Sequence, residues 1–150
     1  MHLYIHSPFE AVAMHEHSGA FRDAWAEEGF CAASVANRPS SNPPAAGSMH
    51  FVGDVVAWRK AYPWSLPLAT ANPDCHPSTI AAPNSAIARW RGHMAKGSLE
   101  RSVRHFGWVL ESASAVAVEQ PPSLLAYIFG PPSVETCLAD FGVPRRKGLR

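Results

Sequence analysis

Five short apolar runs, separated by segments of helical periodicity, set the strongest limit on what this chain can fold into. The runs are Phe9–Met14, Cys31–Val35, His50–Val52, Leu66–Ala71 and Ala115–Val118. Each is too short for a stable helix and lies beside Gly, Pro, Asn or Ser, so each reads as a strand. Between them, Ala20–Gly29 repeats Phe21, Ala24 and Trp25 at helical spacing, with Gly29 as the stop. Val55–Tyr62 reads as a short helix. The longest helix runs from Ser98 to about Ser114, with Leu99, Val103, Phe106, Val109 and Leu110 on one apolar stripe. Beyond Pro121-Pro122 a helix runs to Phe129, and a further segment spans Val134 to Phe141. Strands alternating with helices predict an α/β fold: a mostly parallel sheet with helices on both faces. Ala115-Val116-Ala117-Val118 reads as a strand covered on both sides.

The 150 residues suffice for a single domain. With 47% apolar and 17% charged residues the chain has the make-up of a folded domain rather than a disordered one. No stretch offers the ~20 apolar residues of a membrane span. Met1 to Pro8 lacks the basic lead, apolar run and cleavage site of a signal peptide. Cys31, Cys75 and Cys137 lie far apart, which fits a reducing, cytoplasmic setting better than a disulfide scaffold. The net charge of +1 is uneven. Arg89, Arg91, Lys96, Arg101 and Arg104 face only Glu100 in their segment, and Arg145, Arg146, Lys147 and Arg150 close the chain without an acid. Such clusters are either solvated faces or a footprint for a polyanion.

In a parallel sheet, ligands gather at the carboxyl ends of the strands. After the first strand comes His15-Glu16-His17-Ser18-Gly19-Ala20-Phe21, a strand–Gly–helix turn. It suits a nucleotide, because backbone N–H groups face the ligand there, although the turn alone would also require the glycine. His15 and His17 have no cluster of partner ligands nearby in sequence, so no metal is expected. Asp54 either caps the next helix or accepts from a base amine. After the fourth strand, Asn72-Pro73-Asp74-Cys75 puts a cysteine where a nucleophile would stand, or buries an inert thiol. Glu119 follows the fifth strand, within reach of the same crevice.

In this order the segments resemble the cytosine-5 DNA methyltransferases, from about Phe9 to Arg150. Ser18-Gly19-Ala20-Phe21-Arg22 is similar to the end of the family's Phe-x-Gly-x-Gly cofactor turn, and Gly53-Asp54-Val55 to the motif whose acid contacts adenine. Asn72-Pro73-Asp74-Cys75 resembles the Pro-Pro-Cys loop, and Glu119-Gln120-Pro121 the Glu-Asn-Val motif. Asp140 to Lys147 resembles a later Tyr-Gly-Val-Pro-Gln segment. His15 stands for the family's aromatic and His17 for its first glycine. About Ala36 stands for its ribose-binding acid, Asp74 for a proline and Lys147 for an arginine.

The resemblance implies a Rossmann-like three-layer sandwich of the class I methyltransferase kind, using S-adenosylmethionine. His15, His17, Ser18, Gly19, Phe21, Asn37, Asp54 and Asn72 would bind the cofactor. Cys75 would add to cytosine C6 and Glu119 would hold N3, which activates C5 toward a methyl donor. Flipping the base needs phosphate contacts, for which Arg89, Arg91, Arg101, Arg104, Arg145, Arg146 and Lys147 are the candidates. The chain ends where the family's target-recognition region would begin, so a second chain is the expected reader of DNA sequence. Two other readings remain open. One is a non-catalytic relative of the same fold acting as a DNA-binding or regulatory partner. The other is a different nucleotide-binding Rossmann-like enzyme, since Asn72-Pro73-Asp74-Cys75 also echoes the Asn-Pro-Pro-Tyr loop of amino-methyltransferases.

Overall fold

The computed structural model describes residues 7–63, 65–73, 91, 92, 94, 96–119, 124–131 and 133. In chain order these form β1 (Ala11–Met14), α1 (Ala20–Glu27), β2 (Ala32–Ala36), β3 (Ser48–Val52), α2 (Val55–Ala61), β4 (Leu68–Ala71), α3 (Ser98–Leu110), β5 (Ala115–Val118) and α4 (Leu125–Phe129). The five strands make one sheet in the order β3-β2-β1-β4-β5. Every pairing is parallel. This is the α/β, Rossmann-like arrangement that the alternation of strands and helices predicts. The strand order reverses direction between β1 and β4, and a crevice opens at such a switch point.

The register separates the two faces of the sheet by side-chain size. Val12 pairs with Ala33 and Ala69, and Met14 with Val35 and Ala71, so these six residues share a face. That face carries the core, where Val55 and Trp58 of α2 and Val109 of α3 join Phe9 and Leu66. The opposite face is small except at Leu68: Ala11 and Ala13 lie beside Ala32 and Ser34 on one side and Leu68 and Thr70 on the other. α1 packs there through Arg22, whose guanidinium donates to Ser34 Oγ.

Two expectations are corrected. The stripe of Phe21, Ala24 and Trp25 is not the buried face of α1: Phe21 is 41% exposed and Ala24 is exposed, whereas Arg22 is fully buried. Arg22 goes inward because acceptors surround it there. Nη1 also donates to Ser40 Oγ at 3.0 Å, Nη2 to the carbonyls of Asn42 and Pro43, and Nε to Asp23 Oδ1 at 2.7 Å. This arginine ties the irregular 37–47 connection between β2 and β3 to the sheet. The second correction concerns β5, which is not covered on both faces. Ala115 and Ala117 are exposed on one face while Val116 and Val118 pack against the core on the other, the alternation of a strand buried on one side. On α3, likewise, Val109 is buried but Leu110 is 40% exposed. Val134 to Phe141 lies outside the described residues. No helix among the described residues is long and apolar enough to cross a membrane.

Candidate functional site

A cleft of about 280 Å³ opens at the carboxyl ends of the strands, lined by His15, His17, Ala36, Asn37, Arg38, Gly53, Asp54, Val55 and Asn72. These residues follow β1, β2, β3 and β4, so the parallel register gathers them from four separate parts of the chain. Backbone bonds hold the rim: Asn72 N donates to Met14 O at 3.2 Å, and Gly53 N to Ala36 O at 2.7 Å. Five residues expected to bind a cofactor thus share one cleft, namely His15, His17, Asn37, Asp54 and Asn72. Ser18, Gly19 and Phe21 do not line it.

Gly19 has a structural role of its own. It precedes α1 with φ 87°, in the left-handed region, and an added Cβ would lie 2.5 Å from Arg22 Nη2. The turn before it is closed by Glu16, which is buried at 4% exposure. Glu16 Oε1 accepts from Gly19 N at 2.7 Å and from the Ser18 hydroxyl, and Ser18 Oγ accepts from Ala20 N at 3.1 Å. Two amides at the start of α1, Gly19 N and Ala20 N, are therefore bound to the chain's own side chains. Glu16 Oε2 has no hydrogen-bond partner among the described residues.

Asp54 caps α2, its Oδ1 accepting from Ala57 N at 2.8 Å. His15 stands in the left-handed region with φ 60°, and its Nε2 lies 2.7 Å from Nε2 of His105 on α3. His105 in turn stacks on Trp108, with ring centroids 5.3 Å apart. Burial, and then the neighbouring His105, lower the His15 pKa to about 4, against an upward pull from Asp54. His15 is therefore neutral at pH 7.

Arg38 and His17 form the other polar wall. Arg38 Nη2 lies 3.3 Å from His17 Nδ1. A guanidinium only donates, so Nδ1 accepts and the His17 proton sits on Nε2. The Arg38 backbone is anchored as well. Its carbonyl accepts from His50 Nε2 at 2.9 Å, and His50 Nδ1 accepts from Ser34 Oγ at 2.7 Å. Ser34 Oγ is in turn the acceptor for buried Arg22. The His17 carbonyl accepts from Ser41 N at 2.7 Å. Among the described residues, no carboxylate forms an ion pair with Arg38.

The remaining predicted residues are placed as follows. Glu119 is exposed after β5, its N–H donating to Ala71 O at 3.1 Å, which puts it beside the Asn72 end of the cleft. Arg91, Arg101 and Arg104 are exposed; Arg104 pairs with Glu100 at 3.0 Å, and Arg101 Nη1 donates to Lys96 O. Cys75, Arg89, Arg145, Arg146 and Lys147 lie outside the described residues. Among the described residues, no group of three or more His, Cys, Asp or Glu could hold a metal ion. Glu16, Arg22, Arg38 and His105 were not among the site residues expected from sequence. Arg38 alone had a signal, as a basic residue just after a strand whose end faces the crevice. No protein-family model matches the chain, and no curated protein or solved structure matches it either.

Proposed function

We propose that this chain is a cytosine-5 DNA methyltransferase-like protein that binds S-adenosylmethionine in the cleft at the ends of β1 to β4. The observation that carries this reading is the convergence of His15, His17, Asn37, Asp54 and Asn72 on one cleft at the switch side of a parallel sheet. The residues fit the nucleoside half of the cofactor. Asp54 offers a carboxylate to the amine of adenine, Asn37 reaches for the ribose, and His15 supplies a flat neutral ring. At about 280 Å³ the cleft lies just below the roughly 300–1,000 Å³ typical of ligand sites, so it would hold the cofactor partly exposed.

When bound, S-adenosylmethionine supplies an electrophilic methyl group. The chain's own contribution is to make cytosine receive it. The Cys75 thiolate would add to C6, opening the C5=C6 double bond so that C5 can take the methyl group, with the Glu119 carboxyl binding N3, where charge develops. Loss of the C5 proton to a base would then expel the thiolate and restore the ring. Exposed Arg91 and Arg101 supply phosphate contacts, with sequence readout left to a second chain. Titrating S-adenosylhomocysteine by calorimetry and measuring methyl transfer to DNA test the reading together. Micromolar binding with transfer abolished by Cys75→Ala supports it. Transfer unchanged by Cys75→Ala overturns the cysteine mechanism, and no binding overturns the cofactor assignment. DNA affinity that does not fall with added salt removes the phosphate contacts from the scheme.

A further inference from the structure

In nucleotide-binding parallel sheets, the amino terminus of the helix after the first strand is the ready place for an anion. Here the two leading amides of that place, Gly19 N and Ala20 N, are taken. Glu16 puts a buried carboxylate against Gly19 N and the Ser18 hydroxyl, and Ser18 Oγ holds Ala20 N. A ligand oxyanion approaching the same amides would meet the Glu16 carboxyl oxygens and donors already in use. The cleft has another place for it. Arg38 carries several donors and forms no ion pair with a described acid, and His17 keeps an Nε2–H after accepting from Arg38. The backbones of both are held in advance, the Arg38 carbonyl through His50, Ser34 and Arg22 and the His17 carbonyl through Ser41, and the two side chains meet each other at 3.3 Å. An anchored backbone at both residues lowers the ordering cost of bringing their donors to a ligand.

We infer that the cleft binds the anionic part of an adenosine-type ligand on Arg38 and His17, not at the amino terminus of α1. The shared chemistry is an oxyanion joined to an adenosine. It can be the amino-acid carboxylate of S-adenosylmethionine or a nucleotide phosphate. The inference rests on the nucleoside reading of the cleft given above.

Calorimetry with three ligands separates the cases: S-adenosylhomocysteine carries a carboxylate, adenosine monophosphate a phosphate, and methylthioadenosine neither. The expected result is that at least one anionic ligand binds about tenfold or more tighter than methylthioadenosine, and that Arg38→Ala abolishes that advantage. Methylthioadenosine should change less than about twofold in the same variant, and Arg38→Lys should restore part of the lost affinity. Whichever anionic ligand shows the dependence on Arg38 identifies the source of the oxyanion. If Arg38→Ala weakens all ligands equally, or none, the anion site is overturned while the nucleoside reading stands. If none of the three binds the unmodified protein, the nucleoside reading falls and this inference with it.

Discussion

His15 Nε2 and His105 Nε2 lie 2.7 Å apart across 90 residues of sequence, joining the end of β1 to α3 at the wall of the cleft. One ring must donate its Nε2–H to the bare Nε2 of the other, so the pair requires at least one neutral histidine. The rings meet edge to face, with centroids 4.8 Å apart, and Trp108 backs His105. Burial is the main cause lowering both pKa values, and Asp54 opposes it in both.

This coupling makes the fold sensitive to acid. The pKa of His15 is about 4 in the folded chain and 6.5 by its ordinary value, so between those pH values the unfolded chain binds more protons. Its contribution is fully present above about pH 6.5 and is lost as pH falls toward 4. Allowing for partial exposure, the loss should be on the order of 2 kcal/mol. Urea unfolding at pH 7.5 and pH 4.5 measures it. His15→Asn, which tolerates the left-handed backbone, should flatten the difference. An unchanged pH dependence would clear His15 of the effect.

Arg22 is the second such device, and its loss should be costly. Replacing it with methionine leaves Ser34 and the carbonyls of Asn42 and Pro43 without their donor and frees the 37–47 connection. The expected cost is about 3 kcal/mol, read as a lower urea midpoint. Arg22→Lys should recover only part of this, because an ammonium cannot span Asp23, Ser34 and Ser40 together. Full recovery by lysine would show that charge alone, not the fork of donors, does the holding.

Gly19 and Gly29 form an internal control. Both have positive φ, 87° and 88°, but a Cβ at Gly29 would meet nothing within 4 Å, whereas one at Gly19 would strike the Arg22 guanidinium. Gly29→Ala should therefore cost only the backbone penalty of about 1–2 kcal/mol. Gly19→Ala should cost at least ~1 kcal/mol more, because the buried guanidinium it displaces is fixed by several bonds. Equal costs, measured by thermal unfolding, would mean that Arg22 can move aside freely.

These residues also show what could be read from the sequence. The strands were legible because their apolar runs end at Gly, Pro or Asn. His15, His17, Asp54 and Asn72 could be placed at one crevice because parallel strands bring their carboxyl ends together, whereas Asn37 was named only through the family resemblance. The inward face of α1 was not legible. A buried arginine reads as solvated until the acceptors of Ser40, Asn42 and Pro43 are folded over it. Nor could any local pattern connect His105 to His15, since α3 and β1 meet only in three dimensions. The role of Glu16 was hidden for a related reason: a carboxylate between two histidines suggests a metal ligand, not a cap on its own turn.

Asp54 carries two roles that mutation can separate. Its side chain caps α2 through Ala57 N, and its charge lies close enough to raise the pKa of His15 and His105. Asparagine caps a helix about as well as aspartate but carries no charge and offers a weaker acceptor to an adenine amine. Asp54→Asn should therefore leave stability at neutral pH within about 0.5 kcal/mol while weakening adenosine-type ligands severalfold. Asp54→Ala should add a stability loss of about 1 kcal/mol to the same weakening. Without the carboxylate, the His15 pKa should move further down, which NMR titration of the imidazole would detect in both variants. Unchanged ligand affinity in Asp54→Asn would confine Asp54 to the cap and place the adenine elsewhere in the cleft.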